Sequence, residues 1–317
     1  MSVEIHPQPP ENATDAHLPH PVLLLVNGQS RSGRQVFGEA IAALREAGIE
    51  VKEAILARDR QETHRLLKRE IEQGARLVVV GGGDGTLSTC AETLAGSDVA
   101  MGVLPLGTGN TFARSIGIPV DMNGAIQTIV TGRIEAVDVG TCNRQVFLNS
   151  VSLGLSAEIA GALTGTIKKK LGLLAWPVIG FKVMSRHRSL KLRVLSQEKS
   201  FNVKTHQLVI ANGRYVAGPI KASEDDSLQD HELTVFALGG GSKRELFRAV
   251  WHWLRHTHKE ADEVPFFETK KLRVQSLVRR IKANVEGEIN ETTQLENAVW
   301  PRALRGVVPP GFVAEVG

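Results

Sequence analysis

Val80-Gly81-Gly82-Gly83-Asp84-Gly85-Thr86 places four glycines in five consecutive positions around one aspartate. The apolar run Leu77 to Val80 leads into it, and Thr86 to Ala95 continues as a helical segment. In a strand–glycine–helix turn the first N–H groups of the helix point outward with partial positive charge, a seat for phosphate oxygens. Glycine lets a bulky anion approach the backbone. A carboxylate beside a bare phosphate is repelled, so Asp84 implies Mg²⁺ or a bridging water. The simpler reading is a plain turn in which Asp84 or Thr86 caps the helix; the density of glycine argues against it.

A second turn of this kind follows at Leu106-Gly107-Thr108-Gly109-Asn110-Thr111, between a strand at Ala100 to Leu106 and a short helix at Thr111 to Ile116. Thr108 can donate its hydroxyl to a phosphate oxygen. Two such turns at the carboxyl ends of two strands line one crevice. Upstream, Val22 to Val26 reads as a buried strand, Gln35 to Ala47 as an amphipathic helix stopped by Gly48, Ile49 to Leu56 as a strand, and Arg60 to Gln73 as a helix ended by Gly74. This alternation predicts a parallel sheet covered by helices.

After about Val137 the rhythm changes. Leu190 to Leu195, Val203 to Ala211, Glu232 to Leu238, Lys271 to Val274 and Arg280 to Val285 alternate as strands, and Lys243 to Arg255 is the clearest helix. The expectation is an α/β nucleotide-binding domain over 21–137 and a mostly antiparallel substrate domain over 138–299. Residues 1–20 form a disordered lead-in, and the apolar tail near 300–317 returns to the first domain.

Hydrophobic residues at 42% and charged residues at 23% describe a globular chain, not a disordered one. A net charge of +4 and a pI of about 9.1 suit an anionic partner without choosing among nucleotide, lipid and nucleic acid. Cys90 and Cys142 lack metal-ligand spacing and fit a reducing compartment. Met1 to His20 has no signal-peptide pattern. The apolar stretch Leu171 to Val183 is interrupted by Gly172, Pro177, Gly180 and Lys182, too short and broken to span a bilayer. A cytoplasmic protein touching the inner membrane surface from the side is expected. Gly28 and Gly33 have Walker-A spacing, but Arg34-Gln35 follows where Lys and Ser or Thr are needed, and no dinucleotide fingerprint opens a helix near the start.

These motifs carry a resemblance. Gly82-Gly83-Asp84-Gly85-Thr86, Leu104 to Asn110, Phe147-Leu148-Asn149-Ser150 with Gly154, Ala211 to Tyr215, Asp225 to Leu228 and Val285-Glu286-Gly287-Glu288 occur in one order along the chain. In that order the sequence resembles the diacylglycerol kinase catalytic-domain superfamily, in its small bacterial lipid kinase form. The resemblance covers nearly all of the chain after Pro21. It implies an N-terminal α/β domain carrying the ATP turns, a C-terminal β-sandwich, and a site in the cleft between them.

It also implies roles. Glu288 matches the general base of an Asp-Gly-Glu motif, accepting an alcohol proton as the oxygen attacks the γ-phosphoryl group. Gly82, Gly83, Asp84, Gly85, Thr86, Gly107, Thr108 and Asn110 match nucleotide contacts, with Asp84 also organising the chemistry. Ser223, Asp226 and Leu228 match a second, structural Mg²⁺ site built from one carboxylate and backbone oxygens. ATP and Mg²⁺ are the implied cofactors and a lipid the implied substrate; a homodimer is compatible, and a nucleic-acid partner is not expected. Several positions depart from the pattern: Thr111 for an Asp, Glu286 for the Asp of Asp-Gly-Glu, Ser227 for a turn glycine, Ser88-Thr89 for Asn-Glu, and Leu56 for a nucleotide-contacting Thr.

From Ile159 to Gln197 there is no acidic residue, while Lys168, Lys169, Lys170, Lys182, Arg186, Arg188, Lys191 and Arg193 alternate with apolar and aromatic residues. That mixture suits an anionic membrane surface; a core helix edged with solvated lysines explains the apolar part equally well. His252 and His256 have metal-ligand spacing but no third ligand, and a surface or cleft-lining helix is the better reading. Other readings stay open: a sphingoid-base or small-alcohol kinase, or a nucleotide- or lipid-binding regulator that kept the fold and lost activity.

Overall fold

The computed structural model describes residues 21–29, 31–162, 183, 186–217, 220–221, 228–238 and 266–312. Ser223, Asp226, the Lys243–Arg255 helix and most of the basic stretch lie outside them. The first unit runs β1 (Val22–Asn27), α1 (Arg31–Glu46), β2 (Val51–Ala57), α2 (Arg60–Glu72), β3 (Leu77–Gly82), α3 (Asp84–Leu94), β4 (Ala100–Pro105), α4 (Thr111–Ser115), α5 (Met122–Thr131) and β5 (Arg133–Cys142). β2, β1, β3 and β4 pair in parallel in that order. β3 and β4 are buried along their whole length, as continuous apolar runs in a parallel sheet require.

Several details differ from expectation: α1 starts at Arg31, four residues before Gln35, and the expected strand Val203 to Ala211 is two strands, Ser200–Thr205 and Gln207–Ala211. α3 begins at Asp84, two residues early, because Gly83 at its cap lets the chain turn directly into helix. The sequence reading also passed over α5, which Asp121 starts by accepting the Gly124 N–H at 2.8 Å and which buries Ile126 and Ile129.

The second unit continues with β6 (Gln145–Phe147), β7 (Ser150–Gly154), α6 (Leu155–Ala162), β8 (Leu190–Ser196), β9 (Ser200–Thr205), β10 (Gln207–Ala211), β11 (Tyr215–Ala217), β12 (Ile220–Lys221), β13 (Leu233–Leu238), β14 (Phe266–Thr269), β15 (Lys271–Ser276), β16 (Ile281–Val285), β17 (Glu288–Thr292) and β18 (Gln294–Val308). β14-β13-β10-β7-β16-β17 form one antiparallel sheet. It packs on β8, β15 and β18 through side chains such as Val151, Ile210, Val235, Leu192, Val274 and Ala283. In β15 Leu272 and Val274 face in and Arg273 faces out, the period of two that a sandwich layer needs.

β18 joins the two units. At its start it pairs with β15, along most of its length with β5, and at Gly306 with Met101 of β4. The sheet therefore runs on as β2-β1-β3-β4-β18-β15-β8-β9. Leu304, Val307 and Val308 of β18 lie in the core of the first unit. The expected boundary near Val137 falls inside β5. There Asp138, 1% exposed, accepts the backbone N–H groups of His231 at 2.8 Å and Arg302 at 2.7 Å, with His231 Nδ1 at 3.0 Å. A buried carboxylate needs such partners, and these three pin the crossover between the units. Among the described residues no helix is long and apolar enough to cross a membrane.

Candidate active site

The two glycine turns lie back to back. A Cβ on Gly107 would stand 2.5 Å from Gly83 Cα, and one on Gly82 would stand 2.5 Å from Thr86 Cβ, so close approach excludes side chains at both positions. With glycine at its cap, α3 has no side chain bonded to its first N–H groups. Asn110 sits in the left-handed region at φ 50 and is 4% exposed. Its Oδ1 accepts the Gly107 N–H at 2.9 Å, and its Nδ2 donates to the Gly107 carbonyl at 2.9 Å. Asn110 thus shapes the turn. Thr86 Oγ1 accepts from Asn27 Nδ2 at 3.0 Å, a bond that takes a lone pair and not the hydroxyl proton.

Asp84 is fixed from across the crevice. Thr111 Oγ1 donates to its Oδ2 at 3.2 Å and the Phe112 N–H to its Oδ1 at 3.2 Å. Thr111 therefore gives Asp84 a donor where the resemblance has a second carboxylate. Asp84, Thr86, Gly107, Thr108 and Arg60 all line one cleft of about 500 Å³, within the usual range for a small-molecule site.

The β16–β17 hairpin reaches this cleft through Arg60, which lines it and pairs with Glu288. Val285 pairs with Glu288, leaving Glu286-Gly287 as a two-residue turn with φ 50 and 92. Such turns favour Asn, Asp or Gly, and Glu there costs roughly 1 kcal/mol. Its longer side chain reaches the Asn149–Ser150 loop. Oε1 accepts the N–H groups of Asn149 at 2.5 Å and Ser150 at 3.1 Å, and Oε2 accepts Asn149 Nδ2 at 2.9 Å. Glu286 is half-buried as a residue, but its carboxyl end is enclosed by that loop. Burial pushes its pKa up to about 7; the Asn149 and Ser150 donors pull it down, and the Asp84 charge adds a further push upward.

Glu288 is half-exposed and forms an ion pair with Arg60, and Gln145 Nε2 donates to it at 3.1 Å. Arg60 opens α2 beside the cap Asp59 and also donates to both oxygens of Glu92 at 2.5 Å. One guanidinium thus links α2, α3 and the hairpin across the cleft. His64, one turn along α2, accepts from Arg60 Nε at 3.3 Å and lies 2.5 Å from Thr93 Oγ1; burial holds its pKa below the ordinary histidine value.

Gly83, Asp84, Gly85, Thr86, Gly107 and Thr108 line one crevice, Gly82 and Asn110 shape the turns without lining it, and Glu288 reaches its edge through Arg60. Leu228 is buried, and its carbonyl accepts the Asp138 N–H at 2.7 Å. Its expected metal partners Ser223 and Asp226 lie outside the described residues, and among the described residues no group of three or more potential ligands gathers. Arg60 and Asn27 carry no local motif for a site role, because their partners are remote in sequence; Asn149 lies in a motif of the resemblance, but its contact with Glu286 does not follow from it.

Paired glycine turns at a helix start, with a carboxylate hairpin tied to their cleft through Arg60, suit a phosphotransferase of the kinase class. Residues 21–142 match the diacylglycerol kinase catalytic domain, and residues 149–308 match the YegS C-terminal NAD kinase beta sandwich-like domain. The chain belongs to this two-domain diacylglycerol kinase family, whose membership implies ATP as phosphoryl donor. It is 29% identical over 308 residues to a Pseudomonas aeruginosa (strain UCBPP-PA14) protein named "Probable lipid kinase YegS-like", covering 92% of this chain and 95% of the relative. It is 26% identical to the diacylglycerol kinase of Bacillus subtilis (strain 168), over 81% and 86% of the two chains. The fold is shared with a crystal structure of a diacylglycerol kinase from Bacillus anthracis str. Sterne, with TM-score 0.68, 16% identity and coverage of 92% and 98%.

Proposed function

We propose that this chain transfers the γ-phosphoryl group of ATP to a hydroxyl of diacylglycerol or a related lipid, in the cleft between the glycine turns and the β16–β17 hairpin. The observation that carries this is a cleft lined by Asp84 and the glycine turns, with Glu288 tied to its edge through Arg60 and Glu286 close enough to feel the Asp84 charge. Backbone N–H groups at the start of α3 cradle the phosphates, and the close Gly83–Gly107 packing keeps side chains out of their way. Asp84 offers hard carboxylate oxygens beside the phosphate seat, which fits Mg²⁺ bound by one carboxylate together with ATP oxygens. Bound there, the ion would neutralise charge on the transferring group. Arg60 stands where its guanidinium can meet the triphosphate.

Glu288 takes the role of general base, drawing the proton from the lipid hydroxyl. Its ion pair with Arg60 holds it at the cleft edge. A specific observation favours a second reading: the Glu286 carboxyl, near 7 and under the influence of Asp84, suits proton transfer at neutral pH. Transfer of label from γ-³²P-ATP to a panel of lipids in mixed micelles tests the function. A labelled lipid from wild type is expected, lost in E288Q on the first reading and in E286Q on the second. ATP binding without label on any lipid would sink the kinase reading for lipids and favour a small-alcohol kinase or a regulator.

A further inference from the structure

A surface away from the nucleotide cleft combines exposed apolar side chains with clustered positive charge. Between β15 and β16 the turn Leu277-Val278-Arg279-Arg280 is exposed throughout. Leu277 is 45% and Val278 68% exposed, so two adjacent large apolar residues stand in solvent at one tip. Single exposed apolar residues are ordinary; an adjacent pair edged by cations marks a contact surface. The tip is held in place: the Leu277 N–H donates to the Lys191 carbonyl at 2.9 Å, and Arg280 Nη2 donates to the Glu291 carbonyl at 3.0 Å.

Beside the tip lies a cavity of about 480 Å³ whose wall carries Arg186, Arg279, Arg280 and Lys282, with Glu158 and Glu291. Glu158 is taken by His187 Nδ1 at 2.8 Å. Glu291 faces Lys282 across the β16–β17 ladder. Among the described residues Arg186 and Arg279 have no carboxylate partner. The cations outnumber the carboxylates, and Arg186 and Lys191 belong to the acid-free stretch of the sequence.

We propose that this tip is a docking surface for an anionic phospholipid bilayer, with Leu277 and Val278 entering the headgroup boundary and the surrounding cations meeting lipid phosphates. The partner follows from complementarity: apolar insertion flanked by positive charge fits a negative interface better than a neutral one. The proposal deepens the lipid-kinase reading and rests on it for its purpose. β16 runs from this tip to the hairpin bearing Glu286 and Glu288, five residues or roughly 17 Å. Docking there sets the height of that hairpin above the membrane.

The test is co-sedimentation of the full chain with vesicles of phosphatidylcholine alone or mixed with phosphatidylglycerol. Binding to the mixed vesicles only, weakening with salt, is expected. R279Q/R280Q should lower partitioning by about twenty-five-fold, on the order of fivefold per cation, and L277D/V278D by about tenfold or more. Unchanged unfolding midpoints keep these effects local, and unchanged phosphorylation of a water-soluble short-chain diacylglycerol without vesicles separates docking from chemistry. The vesicle readout needs no activity, so it stands apart from the fate of the kinase reading. Equal sedimentation of wild type and both variants, or none by wild type, would overturn the proposal. So would conversion of a dimer to monomer by L277D/V278D with vesicle binding intact, which would assign the tip to a contact between copies.

Discussion

The glycine turns line the cleft, the β16–β17 hairpin meets its edge through Arg60, and the two are built by opposite means. The turns are made mostly of backbone: Gly83 and Gly107 pack closely, Asn110 ties its loop to itself, and Asp84 is the one carboxylate they place in the cleft. The hairpin is made of side chains held by remote partners, Glu286 by Asn149 and Ser150, and Glu288 by Arg60 and Gln145. A backbone site is rigid, insensitive to pH and intolerant of added atoms. A side-chain site can ionise and tolerates conservative change, but depends on groups far away in sequence. Anchoring of a nucleotide suits the first, proton transfer the second.

The sharpest way to break this comparison is to neutralise the hairpin. E288Q keeps the shape and removes the base, so kcat should fall by roughly a hundred- to ten-thousandfold with the ATP KM little changed. If E286Q suffers that loss instead, the base moves along the hairpin by two residues and the comparison stands. Next in size is G107A, whose Cβ meets Gly83 Cα at 2.5 Å and Asn110 Oδ1 at 2.8 Å. It should weaken ATP binding about a hundredfold and cost about 2–4 kcal/mol in urea unfolding. R60A follows: half-exposed ion pairs contribute at most about 1 kcal/mol to stability, while loss of a cation from the triphosphate cleft should raise the ATP KM about tenfold. Wild-type KM in R60A would remove Arg60 from nucleotide binding.

The smallest effect concerns pH. The Glu286 carboxyl is near 7 in the folded chain against 4.5 for an ordinary glutamate, so the native state holds its proton longer than the unfolded state does. Its contribution is greatest below about pH 4.5 and is lost as pH rises through about 7. E286Q should flatten this decline, seen in unfolding midpoints across that window. An identical pH dependence in wild type and E286Q would mean that the enclosed carboxyl ionises as freely as one in water.

The same division decided what the sequence could reveal. The phosphate turns were legible because strand end, glycines and helix start are contiguous, and their chemistry follows from local backbone geometry. The alternation of β1 to β4 with helices was legible for the same reason. The dual pairing of β18 was not: its 15 residues serve both units, and nothing in the run shows that Gly306 pairs with Met101 while Gln294 to Ala298 pair with β15. Arg60 looked like an ordinary first-turn helix residue until the hairpin came to meet it. Glu286 looked like a mild replacement, and only its enclosure by Asn149 and Ser150 gives it an unusual titration.

The most direct test of the division between a nucleotide seat and a proton acceptor is a crossed measurement of ATP affinity and phosphoryl transfer in G107A and E288Q, with each variant shown to be folded. G107A should lose ATP affinity, whereas E288Q should bind ATP as wild type does and lose transfer. If E288Q lost ATP binding in proportion to transfer, or G107A bound ATP normally, the turns and the hairpin would not divide the work in this way.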